Sequence, residues 1–516
     1  MRRFAFVVAA FLAALVPSRL GAQLVGAEFR VSTYTTNNQG DPRVASDSLG
    51  NFVVIWDSYT QDGQQDGVFG QRYASSGARL GGEFRVNTYT SSVQRYPSVA
   101  SDPSGDFVVV WRGAFQDGDS GGIVGQRYAS SGTRLGVEFI VNTYTTNSQS
   151  RPGVAVDASG NFVVVWESFF QEGIFGQRYA SSGARLGAEF QVNTYTTNIQ
   201  ERPQIASDSS GNFVVVWESA FQDGSLDSIF GQRFASSGAR LGSEFRVNSY
   251  TSNDQRYPAL ASDGSGDFVV VWTSVPLGRV LVGQRYGSSG APLGGEFRVN
   301  AGNLFNLTVS GAAFDSSGSF VVVWSSQLDG TSYGIFARKF ASNGAPAATD
   351  FGVNTYTPGI QDKPHIATNG AGKFAVAWRS ALQDGDQYGV FGQRICPVAV
   401  SVTVAGATTV CPGGTGGLAS AVEDAGGAAT HQWKWKPTAG MSFTSIPGAT
   451  GATYQILAND FNGGALGSYH LVCESSSACG AVTLSNLVAV TVSNTDTIGP
   501  AVTPPGAATT AQTLCQ

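Results

Sequence analysis

The sequence carries little charge of either sign. Of its 516 residues 13% are charged, and 31 basic against 37 acidic side chains give a formal net charge of −6. The basic residues are spread along the chain, so the basic patch that a nucleic-acid partner requires is missing. With 66 glycines and 42% hydrophobic residues, the composition excludes disorder and is typical of turn-rich β structure. The length predicts at least two domains.

Residues of the commonest catalytic sites are scarce as well. The chain has three histidines, and only His365 precedes residue 396. No Gly-x-Ser-x-Gly, His-Glu-x-x-His or phosphate-loop motif occurs. These absences argue against a serine hydrolase, a zinc protease and a nucleotide-binding enzyme.

Long apolar runs are missing except at the N-terminus. There FAFVVAAFLAALV, about 13 residues, follows two arginines and precedes Leu20-Gly21-Ala22. The run is shorter than the ~20 residues of a membrane-spanning helix. It predicts a secretory signal peptide over residues 1–22, cut after Ala22. We therefore expect an exported protein, secreted or at the cell surface, that does not span the membrane.

Cysteine is absent from the first 395 residues. The five cysteines are Cys396, Cys411, Cys473, Cys479 and Cys515. Export permits disulfides, but the count is odd and the sequence does not specify the pairing.

What dominates the chain is a repeat of 51 to 55 residues, marked by a tryptophan in each copy. The seven tryptophans are Trp56, Trp111, Trp166, Trp217, Trp272, Trp324 and Trp378. Each copy supplies four strand candidates, which we name A to D in chain order. Strand B is apolar throughout, as in FVVVW, which is typical of a strand buried on both faces. Four antiparallel strands repeated radially predict a β-propeller of seven blades.

The ends of the repeat region predict how the ring closes. A strand D, Glu28-Phe29-Arg30-Val31, comes before any A, B or C strand, and the last copy ends after its strand C at Gln393-Arg394. The N-terminal strand is therefore predicted to complete the seventh blade, which leaves no open sheet edge.

The A-to-B joint reads Asp-x-x-Gly in six copies, and this is best explained as turn chemistry, with aspartate accepting backbone hydrogen bonds. In copies three and four the run Pro-x-x-Ala-x-Asp-x-x-Gly-Asn resembles the NHL-type propeller repeat, and the whole period resembles repeats of exported bacterial propeller proteins. The resemblance covers residues 24–395. It implies the propeller fold, and such propellers serve both binding and catalysis.

A second pattern starts after the repeats. Residues 396–494 contain short alternating strands around Trp433, with Gly-x-Tyr leading to Cys473, and resemble an immunoglobulin-like domain of bacterial surface proteins. The resemblance implies that Trp433 is the core tryptophan and that Cys411 is bridged to Cys473 or Cys479. Residues 495–516 echo the start of that domain, so we interpret them as a linker and the beginning of a truncated further domain.

Length variation is concentrated in the B-to-C loop, which lies on the same propeller face as the D-to-A loop. We expect the ligand on this face, although surface loops also simply tolerate insertion. The B-to-C loops contain paired aspartates that offer oxygen ligands for calcium, namely Asp117 with Asp119 and Asp384 with Asp386. A plain Asp-Gly turn explains the same residues.

A basic residue precedes the strand A proline in five blades. These residues are Arg95, Arg151, Arg202, Arg256 and Lys363. If strand A is innermost, they ring the mouth of the channel beside His365, where they suit an anionic ligand such as an acidic glycan. The alternative is that each one pairs with a neighbouring loop carboxylate.

The sequence thus predicts an all-β protein, a seven-bladed β-propeller followed by an immunoglobulin-like β-sandwich. The predicted function is binding or adhesion, through recognition of an extracellular glycan or protein by a monomeric propeller. The alternative is a propeller enzyme, a hydrolase or lyase acting on polysaccharide. No cofactor is expected apart from the calcium considered above.

Overall fold

A computed structural model gives the architecture of most of the chain. The described residues are 23–169, 173–275, 280–301, 305–327, 333–347, 349–396, 400–405, 409–410, 415–423, 430–438, 442–476, 482–484 and 488–492. The predicted signal peptide, residues 1–22, and the predicted linker, residues 495–516, lie outside them, as do three of the cysteines.

Seven antiparallel four-stranded sheets form the first part of the molecule. After β1 (Gln23–Arg30), blades one to three contain β2 (Gln39–Ser46), β3 (Phe52–Tyr59), β4 (Asp66–Tyr73), β5 (Phe84–Arg85), β6 (Gln94–Ser101), β7 (Phe107–Gly113), β8 (Gly122–Tyr128), β9 (Phe139–Ile140), β10 (Gln149–Val156), β11 (Phe162–Ser168), β12 (Gly173–Tyr179) and β13 (Phe190–Gln191). Blades four and five contain β14 (Gln200–Ser207), β15 (Phe213–Ala220), β16 (Asp227–Phe234), β17 (Phe245–Arg246), β18 (Gln255–Ser262), β19 (Phe268–Ser274), β20 (Val280–Tyr286) and β21 (Phe297–Arg298). Blades six and seven contain β22 (Phe305–Phe314), β23 (Phe320–Gln327), β24 (Gly334–Phe340), β25 (Phe351–Gly352), β26 (Gln361–Thr368), β27 (Phe374–Ala381) and β28 (Tyr388–Cys396).

The seven sheets close into a ring. The first strand of each blade contacts the first strands of both neighbouring blades, and β2 of blade one contacts β26 of blade seven. Strand A is therefore innermost, as predicted. The seven-bladed propeller predicted from the tryptophan repeat is confirmed.

The N-terminal strand closes the ring in the predicted way. β1 pairs antiparallel with β28, and the register places Leu24 opposite Ile395 and Arg30 opposite Phe391. β28 extends to Cys396, so this cysteine belongs to the last blade, one residue beyond the predicted boundary at 395. Blade seven thus obtains its fourth strand from the opposite end of the chain.

Packing between blades explains the aromatic and valine content of the repeat. In blade three, β11 is buried along its whole length, and Trp166 is 0% exposed. Phe162 and Tyr179 stack with their ring centroids 4.7 Å apart, and Phe139 of the preceding blade packs against Tyr179 at 5.4 Å. Burial on both faces of strand B is the reason that this strand shows no polar alternation.

Hydrogen bonds between neighbouring blades repeat around the ring. In blade two, Glu138 accepts hydrogen bonds from the backbone N–H and the hydroxyl of Thr88 in the preceding blade, at 2.7 and 2.9 Å. The same carboxylate accepts the side-chain amide of Gln116 in its own B-to-C loop. The glutamine of the loop motif Phe-Gln-Asp-Gly is therefore a structural residue.

The aspartates of the A-to-B joints have the predicted turn role. Asp157 Oδ1 accepts the backbone N–H groups of Ser159 and Asn161 at 2.8 and 2.9 Å. Gly160 has a φ of 78°, which favours glycine over other residues. These hydrogen bonds account for the recurrence of aspartate without any role in ligand binding.

The second part of the molecule contains two further sheets. Its strands are β29 (Val400–Ala405), β30 (Thr409–Val410), β31 (Thr415–Glu423), β32 (Thr430–Pro437), β33 (Thr444–Ser445), β34 (Thr453–Leu457), β35 (Gly467–Ser476), β36 (Val482–Leu484) and β37 (Val488–Val492). The three-stranded sheet has the order β29-β31-β34, and the larger one has the order β30-β37-β35-β32-β33 with β36 on β35. Two 3₁₀ turns, Ala458–Asp460 and Asn462–Gly464, follow β34. Across the described residues no helix has the length and apolar character needed to cross a membrane.

One hydrophobic core joins the two sheets. Ala419 and Tyr454 of the smaller sheet and Trp433 and Leu471 of the larger one belong to it. Trp433 is 0% exposed, as expected of a core tryptophan. The hydroxyl of Tyr469 donates to the carbonyl of Ala465 at 2.8 Å. The immunoglobulin-like assignment and the bridge from Cys411 stay predictions.

Candidate functional site

The axis of the propeller opens into a cavity of about 450 Å³ at the face where strand A begins. All seven blades contribute to its wall through residues of their innermost strands. Prolines of four neighbouring blades take part, namely Pro97, Pro152, Pro203 and Pro258. The cavity lies at the face of the D-to-A and B-to-C loops, where the sequence predicts the ligand.

A β-bulge shapes this wall. In six blades the pairing of strand A with strand B breaks just before the proline, as between Glu201 and Gln204. The residue directly before the proline then has a positive φ, and each such residue lines the cavity. The six are Asp41 (44°), Tyr96 (56°), Arg151 (46°), Arg202 (54°), Tyr257 (56°) and Lys363 (51°). Such a conformation costs a non-glycine residue about 1–3 kcal/mol and is enriched at ligand sites.

The bulge separates the five predicted cationic residues into two groups. Arg151, Arg202 and Lys363 occupy the position before the proline and line the cavity, as does His365. Arg95 and Arg256 stand one residue earlier and are not among the cavity-lining residues, which is a correction to the predicted ring.

Arg95 and Arg256 instead pair with carboxylates of the preceding blade. The Nε atom of Arg95 lies 2.8 Å from Asp66, and that of Arg256 lies 2.6 Å from Asp227. The tyrosine that follows each arginine takes the cavity position in its place. A shift of one residue therefore decides which side chain lines the channel.

The arginines of blades three and four form a continuous chain of ion pairs. Glu201 lies between the two arginines, 3.0 Å from Arg151 and 2.8 Å from Arg202. Arg202 also lies 2.7 Å from Glu218. Glu218 is 1% exposed, so the guanidinium of Arg202 partners a carboxylate that has no access to water. Lys363 pairs with Asp41 across the junction of blades seven and one. The alternative predicted from the sequence, pairing with neighbouring carboxylates, is what the structure shows.

Burial shifts the protonation equilibria of the site. Desolvation raises the pKa of Glu218 to about 7, although Arg202 and the N–H of Tyr257 oppose the shift. Desolvation and the charge of Asp41 raise the pKa of Asp57 to about 7. Both residues directly follow a strand B tryptophan, so this position places carboxyl groups behind the cavity wall.

His365 is neutral at physiological pH. Desolvation and the positive charge of Arg43 lower the pKa of His365 to about 3. Its Nδ1 accepts the backbone N–H of Val44 at 3.3 Å, so the ring proton resides on Nε2. His365 can donate a hydrogen bond there, but it does not supply a positive charge.

The predicted calcium residues of blade two accept hydrogen bonds from the segment that follows strand D of the same blade. Asp117 Oδ2 accepts the side-chain amide of Asn142 at 2.9 Å, and Asp119 Oδ2 accepts the backbone N–H of Asn147 at 2.7 Å. Within the loop, Asp117 Oδ1 also accepts the backbone N–H of Asp119 at 3.4 Å, as the turn alternative predicts.

Blade seven repeats the arrangement in part. Asp386 Oδ2 accepts the N–H of Asn37 at 2.9 Å. Asp384 has no asparagine equivalent to that of Asp117, because Ser32 stands at that place on the closing strand. Burial raises the pKa of Asp384. Within the described part of the chain no group of three or more Asp, Glu, His or Cys side chains could hold a metal, and calcium stays a prediction.

Sequence reasoning missed Asp41, Tyr96, Tyr257 and Glu218 as residues of this site. The available signals were the position directly before the strand A proline and the position directly after the strand B tryptophan. Both positions vary from blade to blade, whereas the proline beside the first is repeated in six blades and the tryptophan beside the second in all seven. Variation within an otherwise repeated sequence is a signal of function.

These features define the chain as an all-β protein whose seven-bladed propeller has a charged cavity on its axis. A family model described as Domain of unknown function (DUF8696) matches residues 400–494, which covers the second part only. No curated protein matches the chain.

Solved structures resemble the propeller at low identity. A protein of unknown function from Dyadobacter fermentans is 11% identical, with 73% of this chain and 99% of that one covered and a TM-score of 0.43. The β-propeller domain of the Trilobed protease from Pyrococcus furiosus is 7% identical, with 70% and 94% covered and a TM-score of 0.42. The polysaccharide lyase Uly1 is 9% identical, with 72% and 91% covered and a TM-score of 0.44. At these values no ligand or activity is transferred.

Proposed function

We propose that the protein is an exported binding protein whose propeller recognises an extracellular ligand at the mouth of its channel. The observation that carries this proposal is the axial cavity lined by all seven blades, with strained and varied residues around its wall. A cavity of about 450 Å³ falls within the usual size range of small-ligand sites.

The contrast between the two faces supports this assignment. On the opposite face, the repeated residues are used to hold neighbouring blades together. Arg178 of strand C, for example, donates to the carbonyl of Ser236 in the next blade at 2.6 Å. Residues so engaged have little freedom to vary, whereas the cavity position before the proline holds Asp, Tyr, Arg or Lys.

An enzyme acting on polysaccharide is the second candidate, and one observation weighs against a hydrolase. Glycoside hydrolases use two carboxyl groups that flank the scissile bond. Among the described residues of the cavity wall only Asp41 carries a carboxylate, and Lys363 pairs with it. Glu218 and Glu167, whose pKa values burial raises, do not belong to that wall.

Export and surface display remain part of the proposal. The predicted signal peptide over residues 1–22 and the immunoglobulin-like pattern of residues 396–494 support a protein that is secreted or held at the cell surface. In this arrangement the second part acts as a spacer or attachment module, and the propeller acts as the recognition domain.

The test is a glycan and protein array probed with the purified full chain, followed by site variants. Arg202→Gln alone leaves the buried carboxylate of Glu218 without its partner, so the double variant R202Q/E218Q is the appropriate probe. It removes one ion pair of the site and keeps polar side chains at both positions. We expect loss of the array ligand, with the fold retained in circular dichroism.

The matched control is Ser237→Lys, which changes an exposed turn residue on the opposite face. It should leave binding unchanged. If binding instead follows S237K, or changes in the second part such as Lys434→Glu, the site proposal is wrong. Release of reducing ends or unsaturated sugars from a bound polysaccharide would establish the enzyme alternative.

A further inference from the structure

We infer that the channel mouth takes an uncharged saccharide, a ligand whose hydroxyl groups face paired charges and whose ring packs on tyrosine. This inference rests on the proposed function and names its ligand class. It differs from the ligand predicted from the arginine pattern alone, which was an acidic glycan. Three observations carry it: the balance of charge around the cavity, two exposed tyrosines in its wall, and the neutral histidine.

The charges around the cavity nearly cancel, because four cationic side chains face five carboxylates. The cationic side chains of the wall are Arg43, Arg151, Arg202 and Lys363. The carboxylates in or directly behind the wall are Asp41, Asp57, Glu167, Glu201 and Glu218. An anionic ligand would have to compete with these carboxylates for each cation, and an unpaired buried carboxylate is costly. The electrostatics therefore do not favour an acidic ligand.

Ion pairs at an open cavity still offer hydrogen bonds. The guanidinium groups of Arg151 and Arg202 have more N–H donors than their carboxylate partners use, and the carboxylate oxygens have further lone pairs. A sugar hydroxyl is both a donor and an acceptor, so it can bind to such a pair without separating it. Nε2 of His365 adds one neutral donor.

Two tyrosines provide the apolar part of the site. Tyr96 and Tyr257 are each 37% exposed and line the cavity from blades two and five, three blades apart in a ring of seven. Both have a φ of 56°, an unfavourable conformation for a bulky residue. The guanidinium of Arg202 lies over the Tyr257 ring at 4.7 Å and fixes its orientation. A ring with an apolar face and a polar hydroxyl suits the CH face of a sugar.

The experiment is saturation-transfer NMR and titration calorimetry with the full chain. The probes are the neutral disaccharides cellobiose, maltose, lactose and N,N′-diacetylchitobiose, with D-glucuronate as the acidic probe. At least one neutral disaccharide should bind, with an affinity that is unchanged between about 50 and about 500 mM NaCl, because no net charge is neutralised. Tyr96→Ala should weaken this binding about tenfold.

Two variants separate loss of the ring from other effects. Tyr96→Phe keeps the ring and should bind nearly as the wild type. Tyr250→Ala removes a tyrosine that is 41% exposed but lies outside the cavity wall, and it should change nothing. Should Y96A fail to fold, the salt dependence of the wild-type protein still decides the matter.

The possible failures differ from those of the proposed function. A ligand that maps to the channel through R202Q/E218Q, but is a protein or an acidic glycan with strongly salt-dependent affinity, overturns the saccharide inference and leaves the proposed function intact. The absence of any neutral saccharide among the array and panel ligands also overturns it. Binding that maps to the opposite face overturns both.

Discussion

Closure of the ring by β1 predicts that one phenylalanine has a role that its equivalents in other blades do not share. Phe29 packs across the junction of blades seven and one, with its ring centroid 5.2 Å from that of Tyr73 and 6.3 Å from that of Phe52. Phe139 makes the same contacts between blades two and three, at 5.4 and 6.4 Å. The two substitutions F29A and F139A therefore remove equivalent packing.

F29A and F139A should lose a similar amount of packing free energy. Phe→Ala in a core costs roughly 3–5 kcal/mol, and about 3 kcal/mol is expected here because both side chains are only partly buried. The consequence differs, because β9 is tethered to β8 by a short connection, whereas no such connection ties β1 to β28. In F29A the lost packing energy therefore favours detachment of β1 from β28. A change of about 3 kcal/mol corresponds to a roughly hundredfold larger open population.

The assay is hydrogen exchange by mass spectrometry under native conditions. Peptides of β28 in F29A should exchange roughly a hundredfold faster than in the wild type, while β8 in F139A should change much less. Because an exposed strand edge promotes association, F29A should also form oligomers in size-exclusion chromatography. Equal exchange of β28 in F29A and β8 in F139A would refute the reasoning, and so would a chain starting at Gly40 that melts like the full protein.

Three further predictions concern the turns and the channel. Asp102→Ala removes an acceptor of two backbone N–H groups, at 2.9 and 3.0 Å, and should lower the free energy of unfolding by about 1–2 kcal/mol in urea melts without changing ligand affinity. The pKa of Glu218 rises from 4.5 to about 7 on folding, so stability should fall as pH increases between these values. In thermal melts, the melting temperature of Glu218→Gln should depend less on pH than that of the wild type. Arg202→Gln should cost about 3–5 kcal/mol above pH 7, whereas R202Q/E218Q should recover most of that loss, and equal melting of the two variants would contradict the pairing.

The fold was predictable because its determinants are local and repeated. Short segments were enough to predict the elements of a blade. Examples are the buried strand Phe162 to Trp166, the turn formed by Asp157 and Gly160, and the early strand around Phe29. The number of repeats then gives the number of blades. Because the last copy lacks a strand D, the N-terminal strand must complete the last blade.

The site was only partly predictable, because a bulge changes which side chain faces the axis. Counting back from the proline treats Arg95 and Arg151 as equivalent, yet they differ by one residue, and a shift of one reverses the direction of a strand side chain. The backbone at Tyr96 and Arg151 has a positive φ, which no propensity of tyrosine or arginine indicates. Ion pairing was predicted as an alternative, but its partners were not, since Arg151 and Glu201 lie 50 positions apart and in different blades.

The channel mouth is an asymmetric surface within a nearly symmetric fold. Residues that join the blades, such as Glu138 with its hydrogen bonds to Thr88, stay acidic in each copy because each junction needs a carboxylate. The residue before the proline is not tied to one repeated contact, since its partner differs between blades: Arg151 pairs with Glu201, and Lys363 pairs with Asp41. It is therefore free to differ, and it does: tyrosine in blades two and five, arginine in three and four, and an acid facing a lysine where the ring closes. In the proposed site, an asymmetric set of side chains would fix the orientation of one ligand on the axis, which seven identical positions could not do.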